Sequence, residues 1–295
     1  MTPYSFRDRV VLLTGATGGL GRELARGLAS RGAVLLLTGR HADRLEALAG
    51  ELCTPASATV LDAKLHEPGE AARLAEAALA VHGRVDCLIN NAGLGYFATI
   101  EESLDARVRE LFELNTFAPL ALARALVPAM RSRGQGRIVN IVSCAGRVPI
   151  PSAGVYGASK SALAILANTM RLECKGSGID VVIIYPGTIN TAFEINALAE
   201  RDRAGIDTSG HRGGAADVAI EVLDAASGPA GEVWLEPMGR KLAAEAITHP
   251  ERVDEMMEPL RARVVEHDPR DSCRPRSGAG DCGSSRHRCA AGSTA

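Results

Sequence analysis

A tyrosine and a lysine are spaced so that they share one face of a predicted helix. Tyr156 and Lys160 lie four residues apart within a segment of helical composition, Val155 to Lys175, and side chains at i and i+4 are neighbours on a helix. A tyrosine with its ordinary pKa of about 10 is a weak base at neutral pH, whereas a nearby ammonium stabilises the phenolate and lowers that pKa. The pair predicts a proton-transfer group, Tyr156, that is tuned by Lys160. By itself, the same spacing is also common on helices without any catalytic role.

A serine stands at the end of a strand that precedes this pair. An apolar run from Ile138 to Val142 predicts the strand, and Ser143 follows it directly. Parallel sheets bind ligands at the carboxyl ends of their strands, so Ser143 can donate a hydrogen bond to a substrate oxygen there. A serine in that place also often caps a helix. Its conjunction with Tyr156, Lys160 and a glycine-rich turn indicates a catalytic group.

The glycine-rich turn runs from Thr14 to Gly21, follows the first predicted strand and opens directly into a helix. Glycines let the backbone approach a pyrophosphate, and the positive end of the following helix favours the anion. The turn therefore predicts a dinucleotide site. Its spacing reads T-G-x-x-x-G-x-G, although Gly18 also permits T-G-x-x-G-x-x-G. The cofactor-binding residues predicted here are Gly15, Thr17, Gly19, Leu20 and Gly21.

The end of the second predicted strand indicates which dinucleotide binds. Folds that bind NAD commonly place an acidic residue there to bond the ribose hydroxyls, but this chain continues Gly39-Arg40. The planar guanidinium of Arg40 suits a 2′-phosphate. The sequence therefore favours NADP(H) over NAD(H).

Short apolar runs and segments of helical composition alternate along the chain. This alternation predicts an α/β fold, a doubly wound parallel sheet of the Rossmann type with about seven strands and helices on both faces. Gly32, Gly83, Gly136 and Gly178 separate helices from the strands that follow them. Strands are predicted at Val10–Leu13, Ala33–Leu37, Val85–Ile89, Ile138–Val142, Val181–Ile184 and Glu232–Leu235, and helices at Leu20–Arg31, Ala42–Leu52, Glu70–His82, Leu104–Arg131 and Val155–Lys175.

The pattern predicts a single domain of the Rossmann type over residues 1–267. Within it, residues 188–214 become polar and glycine-rich, as in a mobile substrate lid, and Pro250 and Pro259 break residues 240–265 into helices. Apolar periodicity then disappears, so we expect a disordered tail over residues 268–295.

Composition excludes several classes of function. The chain has 295 residues, 46% of them hydrophobic, and a net charge of −2, so it has no basic surplus for nucleic acid. No apolar run approaches the ~20 residues of a membrane span, and no signal peptide is recognisable. We therefore expect a cytoplasmic protein. The seven cysteines form no C-x-x-C pair and the histidines no H-E-x-x-H pattern, which favours reduced thiols and no metal.

Taken together, these motifs resemble the short-chain dehydrogenase/reductase family over roughly Phe6 to Met238. The resemblance implies that hydride passes between the nicotinamide and a carbonyl/alcohol pair, with Tyr156 transferring the proton and Ser143 positioning the oxygen. It rests on Thr14-Gly15, Gly19-Leu20-Gly21, Asn90-Asn91-Ala92-Gly93, Asn115, Ser143, Tyr156, Lys160, Pro186-Gly187-Thr188 and Thr191.

The same resemblance implies further roles. Asn91, Ala92 and Gly93 would support the central sheet and line the adenosine side, and Asp62 would contact the adenine. Asn115 would hold a water in a proton relay. Lys160 would also bind the nicotinamide ribose, and Tyr156 would likewise be among the cofactor-binding residues. Thr188 and Thr191 would contact the carboxamide and the phosphates. Family members pair subunits through long helices, which implies a homodimer or homotetramer.

Two alternatives remain open at this point. A nucleotide-sugar epimerase or dehydratase also uses a Tyr-x-x-x-Lys pair, and a non-catalytic protein could bind NADP(H) only to sense it. The apolar residues of Leu94–Ala98, Cys144–Ser152 and residues 188–214 favour a small-molecule substrate that is an apolar ketone, aldehyde or 3-ketoacyl compound.

Overall fold

A seven-stranded parallel sheet forms the centre of the protein in the computed structural model, which describes residues 3–52, 58–187, 198–199 and 213–266. The strand order is β3-β2-β1-β4-β6-β7-β9. A short parallel pair, β5 with β8, lies apart from this sheet. The strands are β1 Val10–Leu13, β2 Val34–Leu37, β3 Ala58–Val60, β4 Cys87–Asn90, β5 Tyr96–Phe97, β6 Gly136–Ile141, β7 Ile179–Tyr185, β8 Leu198–Ala199 and β9 Gly231–Trp234.

Alternate residues of each strand point to opposite faces of the sheet, and both faces are covered by helices. On one face Leu12, Leu88 and Ile183 pack against α3, α5 and α6. On the other, Leu13 and Ile89 pack against α1, α2 and α7. The helices are α1 Gly19–Ser30, α2 Ala42–Glu51, α3 Glu70–His82, α4 Asp105–Phe112, α5 Ala118–Ser132, α6 Gly154–Glu173, α7 Ala215–Ser227, α8 Pro237–Thr248 and α9 Pro250–Glu266.

The order of the strands creates a crevice. From β1 the chain moves outward through β2 to β3, and then returns to place β4 on the other side of β1. Such a switch point separates the connections at the carboxyl ends of the strands, where ligands of this architecture bind. The predicted doubly wound fold is confirmed, with seven strands in the main sheet.

Strand β3 and the long middle helix differ from the sequence predictions. Ala58–Val60 is only half-buried. Its three residues include Thr59, so the sequence has no continuous apolar run there like those of β1 and β2. The predicted helix Leu104–Arg131 begins at Asp105 and is interrupted by a π-helical segment, Glu113–Phe117. Helix propensity does not distinguish a π-helical turn from an α-helical one, so composition does not reveal this interruption.

Two predictions about helix ends were also wrong. Gly136 is the first residue of β6, and the residue with positive φ before it is Gly134, at 63°. Pro250 does begin a helix, but Pro259 lies inside α9, where it removes one backbone hydrogen bond and leaves the helix continuous.

Several predicted features lie outside the described residues. They are Thr188, Thr191, nearly all of the expected lid at 188–214 and the tail at 268–295. Among the helices that are described, none combines the length and the apolar character needed to cross a bilayer. Nor do the described His, Cys, Asp and Glu residues form any group of three or more able to hold a metal ion.

Candidate active site

The glycine-rich turn brings backbone into close contact with backbone. Gly15 has a φ of 66°, which favours glycine. A Cβ on Gly21 would collide with the carbonyl oxygen of Gly15 and lie 2.9 Å from Nδ2 of Asn91. Gly18 has extended backbone, and a Cβ there would lie 3.4 Å from the same oxygen. The close approach therefore involves Gly15 and Gly21, while Gly18 is the N-cap of α1.

We expect Gly21→Ala to damage this turn and Gly18→Ala to leave it intact. The added methyl at Gly21 forces backbone apart, an overpacking that costs about 1–3 kcal/mol, and should abolish nucleotide binding. The Gly18 variant should cost less than about 1 kcal/mol, the scale of an N-cap change. Urea unfolding and NADPH titration of both variants measure this. Greater damage from Gly18→Ala would contradict the T-G-x-x-x-G-x-G assignment.

Thr14 and Asn91 connect the glycine-rich turn to the end of β4. The Thr14 hydroxyl donates to the carbonyl of Ile89 at 3.2 Å and accepts the amides of Asn91 and Ala92 at 3.0 and 2.9 Å. The side-chain amide of Asn91 donates to the backbone carbonyls of Thr14 and Gly15 at 3.0 and 3.2 Å. These bonds hold two strand ends in fixed register, so Asn91 shapes the turn as well as lining the cleft.

One cleft of about 480 Å³ contains most of the predicted site residues. Its lining includes the turn from Gly15 to Gly21, the segment from Asn91 to Gly93, and Arg40. Ser143, Tyr156 and Lys160 line the same cleft. Two separate predictions, a dinucleotide site and a catalytic group, thus meet in one cavity.

The β2 end of the cleft carries basic side chains. Arg40 and Arg44 both line it and both are exposed, and His41 and His66 lie beside them. Sequence reasoning missed Arg44, although its position four residues after Arg40, in the first turn of α2, was a usable signal. Among the described acidic residues, the cleft lining contains Glu110 alone, which is ion-paired with Arg107 at 3.0 Å.

Asp62 lies outside the cleft lining. Its side chain is exposed just beyond β3, and its backbone carbonyl accepts a hydrogen bond from Arg73 at 2.8 Å. The next residue, Ala63, lines the cleft instead. The structure therefore does not bring the predicted adenine contact into the cavity.

The catalytic candidates come from two elements that meet at the cleft. Ser143 follows β6 and caps a short 3₁₀ turn, Cys144–Gly146, by accepting the Ala145 amide at 3.2 Å. Its hydroxyl also lies close enough to the Tyr156 hydroxyl, on α6, to stabilise a phenolate there by a hydrogen bond. The serine is thus both a cap and a neighbour of the phenol.

Lys160 is buried, one helical turn after Tyr156. Its ammonium donates to the carbonyl of Ile141 at 3.1 Å. A Cβ on Gly93 would lie 3.1 Å from Nζ and 3.4 Å from Oδ1 of Asn115. The glycine after Ala92 therefore leaves the space that the lysine occupies.

The pKa values correct one expectation. Burial raises the pKa of Tyr156 to about 12, while its hydrogen bond with Ser143 acts in the opposite direction. Burial lowers the pKa of Lys160 to about 8. The expected lowering of the Tyr156 pKa by Lys160 is not found, since desolvation of the phenolate dominates the shift and the groups that act on the phenol are Ser143 and Cys144. At neutral pH the tyrosine is a phenol with a proton to donate.

Asn115 lies in the π-helical segment and is fully buried. Its amide nitrogen donates to the carbonyl of Leu94 at 2.9 Å and to the hydroxyl of Ser159 at 3.0 Å. Its amide oxygen accepts the Leu94 N–H at 2.9 Å. Both hydrogens of the Asn115 side-chain amide are therefore bonded, one to the loop after β4 and the other to α6. π-Helical segments are frequent at functional sites.

Close packing and a charged cluster fix the loop between Ser143 and Tyr156. A Cβ on Gly157 would collide with the carbonyl of Ala145, so the 3₁₀ turn lies directly on α6. Arg147 donates to the Tyr185 hydroxyl at 3.1 Å and to Glu232 at 2.6 Å. The loop that carries Ser143 is thus anchored to β7 and β9.

Apolar side chains line the cleft beside the catalytic candidates. Leu94, Phe97 and Ile150 were predicted there and do line it. Tyr96 and Val148 are buried in neighbouring clusters instead. Leu260, from the carboxyl-terminal helix α9, also lines the cleft and had no signal in the sequence, because residues 240–265 carry no motif.

The sequence is similar to known proteins along most of its length. It matches the model of the short chain dehydrogenase family over residues 9–202. The Mus musculus protein Dehydrogenase/reductase SDR family member 7B is 40% identical over 227 residues, covering 74% of this chain and 70% of the mouse protein.

Solved structures with this architecture include nucleotide complexes. A metagenomic short-chain oxidoreductase in complex with NADP is 30% identical, with a TM-score of 0.67 over 79% of this chain and 99% of that one. A short-chain dehydrogenase/reductase from Burkholderia phymatum in complex with NAD is 25% identical, with a TM-score of 0.76 over 84% and 96%. Both nucleotides therefore occur among similar structures.

Proposed function

Because the chain belongs to the short-chain dehydrogenase/reductase family and is an oxidoreductase of that family, we propose that it transfers hydride between NADP(H) and a carbonyl/alcohol substrate. Reduction of an apolar ketone, aldehyde or 3-ketoacyl compound is the proposed direction. One observation carries this proposal: Ser143 and Tyr156 share a cleft with the glycine-rich turn and Arg40.

The residues at the turn fit a phosphorylated dinucleotide. The close approach of Gly15 and Gly21 leaves backbone where a Cβ would fill the space, and the N-terminus of α1 favours an anion beside it. Asn91, Ala92 and Gly93 would lie along the bound nucleotide, and Lys160 would reach its nicotinamide ribose. Thr17, Gly19, Leu20, Thr188 and Thr191 are proposed contacts as well, whereas Asp62 would have to act from outside the cleft lining.

Proton transfer follows from the side chains of the cleft. When bound, the nicotinamide supplies the hydride that reaches the carbonyl carbon. The Tyr156 hydroxyl donates its proton to the developing alkoxide, and its pKa of about 12 keeps that proton available at neutral pH. Ser143 donates a hydrogen bond to the same oxygen. Lys160 places positive charge near the phenolate that remains, and Asn115 holds α6 and the loop after β4 in place.

The preference for NADP(H) rests on Arg40 and Arg44. Two exposed guanidinium groups line the end of the cleft next to β2, where a carboxylate would otherwise bind the ribose hydroxyls of NAD. A 2′-phosphate suits such groups because guanidinium offers paired donors. Neither the epimerase nor the sensor alternative is supported by a specific feature of this cleft.

A nucleotide titration followed by a carbonyl screen tests the proposal. We expect NADPH to bind the purified protein more tightly than NADH, measured by nucleotide fluorescence. Addition of apolar ketones, aldehydes or 3-ketoacyl thioesters to the NADPH complex should then decrease the absorbance of the reduced nicotinamide. If neither nucleotide binds, the proposed function is wrong. If NADPH binds and no carbonyl compound is reduced, the sensor alternative is favoured.

We also propose one domain over residues 1–267 and assembly into a homodimer or homotetramer. Phe117 and Ile165, next to α5 and on α6, are apolar and exposed by 50% and 55%. A subunit interface would cover such side chains.

A further inference from the structure

The last described helix, α9, is held against the catalytic loop by apolar contacts. Val253 is 1% exposed and packs with Val148 and Ala243, and Met257 packs against the same cluster. Val253, Met257 and Leu260 are spaced as one stripe of a helix. Since Val148 lies between Ser143 and Tyr156 in the chain, the stripe rests on the loop that joins the two catalytic groups.

Leu260 extends this stripe into the cleft. It lines the same cavity as Ser143, Tyr156 and Ile150, and its side chain is half-buried. The neighbouring Met256 is 50% exposed. One face of α9 is therefore packed inward, and Leu260 is the member of that face that a ligand in the cleft can touch.

The arginines of the cleft lie at its other end. Arg40 follows β2, and Arg44 lies near it. Ser143 follows β6, and strands β1 and β4 lie between β2 and β6. Three strand spacings separate the two ends by about 14 Å. Among the described residues that line the cleft near Ser143, the cation is Lys160, and its ammonium donates a hydrogen bond to the carbonyl of Ile141. The described apolar residues that line the substrate end are Leu94, Phe97, Ile150 and Leu260, and none of the described residues there offers a free cation to an anionic group.

We propose that α9 forms the wall of the substrate pocket and that Leu260 sets the size of the apolar group beside the reacting carbonyl. The substrate class is then a ketone or aldehyde that bears an extended aliphatic or aryl group and no anionic group close to the carbonyl. This inference rests on the proposed oxidoreductase function, but it concerns a different residue and can fail separately.

The test uses the full-length protein and 2-alkanones from butanone to dodecanone, with NADPH. For the parent, kcat/KM should rise about fourfold for each methylene that becomes buried. Leu260→Trp should lower kcat/KM at least tenfold for the longest alkanones and less than twofold for butanone. Leu260→Ala should move the optimum to longer or bulkier ketones. Met256→Trp, on the exposed face of the same helix, is the matched control and should keep the parent's profile.

Calorimetric binding of the same alkanones separates the two possible failures. Turnover by the parent with an identical chain-length profile in both Leu260 variants would overturn the α9 wall and leave the oxidoreductase standing. Binding of long alkanones that Leu260→Trp weakens, without any turnover, would overturn the proposed function and support the wall. Failure of the parent to bind any alkanone would overturn the apolar pocket. Unchanged NADPH affinity in each variant shows that it is folded.

Discussion

Replacement of Tyr156 by phenylalanine is expected to lower kcat/KM for carbonyl reduction by about a hundredfold to ten-thousandfold, the range for loss of a general acid. The substitution removes the hydroxyl that lies near Ser143 and keeps the ring that packs against the cluster of Tyr96, Ala98 and Leu111. Among the described residues, the other hydroxyls of the cleft lining belong to Ser143 and to Thr17, which lies in the glycine-rich turn. NADPH affinity should stay within about twofold of the parent's, because the lost hydroxyl is proposed to transfer the proton and not to bind a phosphate.

Steady-state rates and nucleotide titration on the same preparations measure both halves of this expectation. Tyr4→Phe is the matched control, since the Tyr4 hydroxyl is buried, has no hydrogen-bond partner among the described residues and lies outside the cleft lining. That variant should keep the parent's kcat/KM. Retention of more than a tenth of the parent's activity in Tyr156→Phe would remove the tyrosine from the proton-transfer step.

That the proposed catalytic pair lies together was predictable, because its geometry is local. Tyr156 and Lys160 share a helix, so their spacing alone fixes that they lie together, and the glycine-rich turn is likewise a continuous segment. The pKa of Tyr156 was not predictable in the same way. It depends on how much protein surrounds the phenol, and that burial comes from elements distant in sequence.

Features that depend on tertiary contacts were beyond the sequence. A leucine in a helix can face solvent or protein, so the sequence does not show which way Leu260 points. The packing of Val253 on Val148 turns Leu260 toward the cleft. The π-helical segment at Asn115 is stabilised by bonds to Leu94 and Ser159, one on each side of it in the chain. Strand β3 forms because β2 offers it an edge, not because Ala58–Val60 is strongly apolar.

Removal of both Arg40 and Arg44 is expected to weaken NADPH binding by about tenfold to a hundredfold, while NADH affinity changes less than about twofold. Hydrogen bonds to a charged group contribute about 1.5–3 kcal/mol, and only NADPH carries the 2′-phosphate that would use these arginines. The double variant Arg40→Ala with Arg44→Ala therefore separates the two nucleotides. Fluorescence titration with each nucleotide at fixed ionic strength gives the ratio directly.

Two further variants show which property of the arginines matters. Arg131→Ala removes an exposed arginine outside the cleft lining and should change neither affinity, so it controls for net charge. Arg40→Lys keeps the charge and loses the paired donors, and should fall between the parent and Arg40→Ala. An equal loss for NADPH and NADH in the double variant would mean that the arginines hold the pyrophosphate common to both. The preference for NADP(H) would then be wrong, although the dinucleotide site itself would stand.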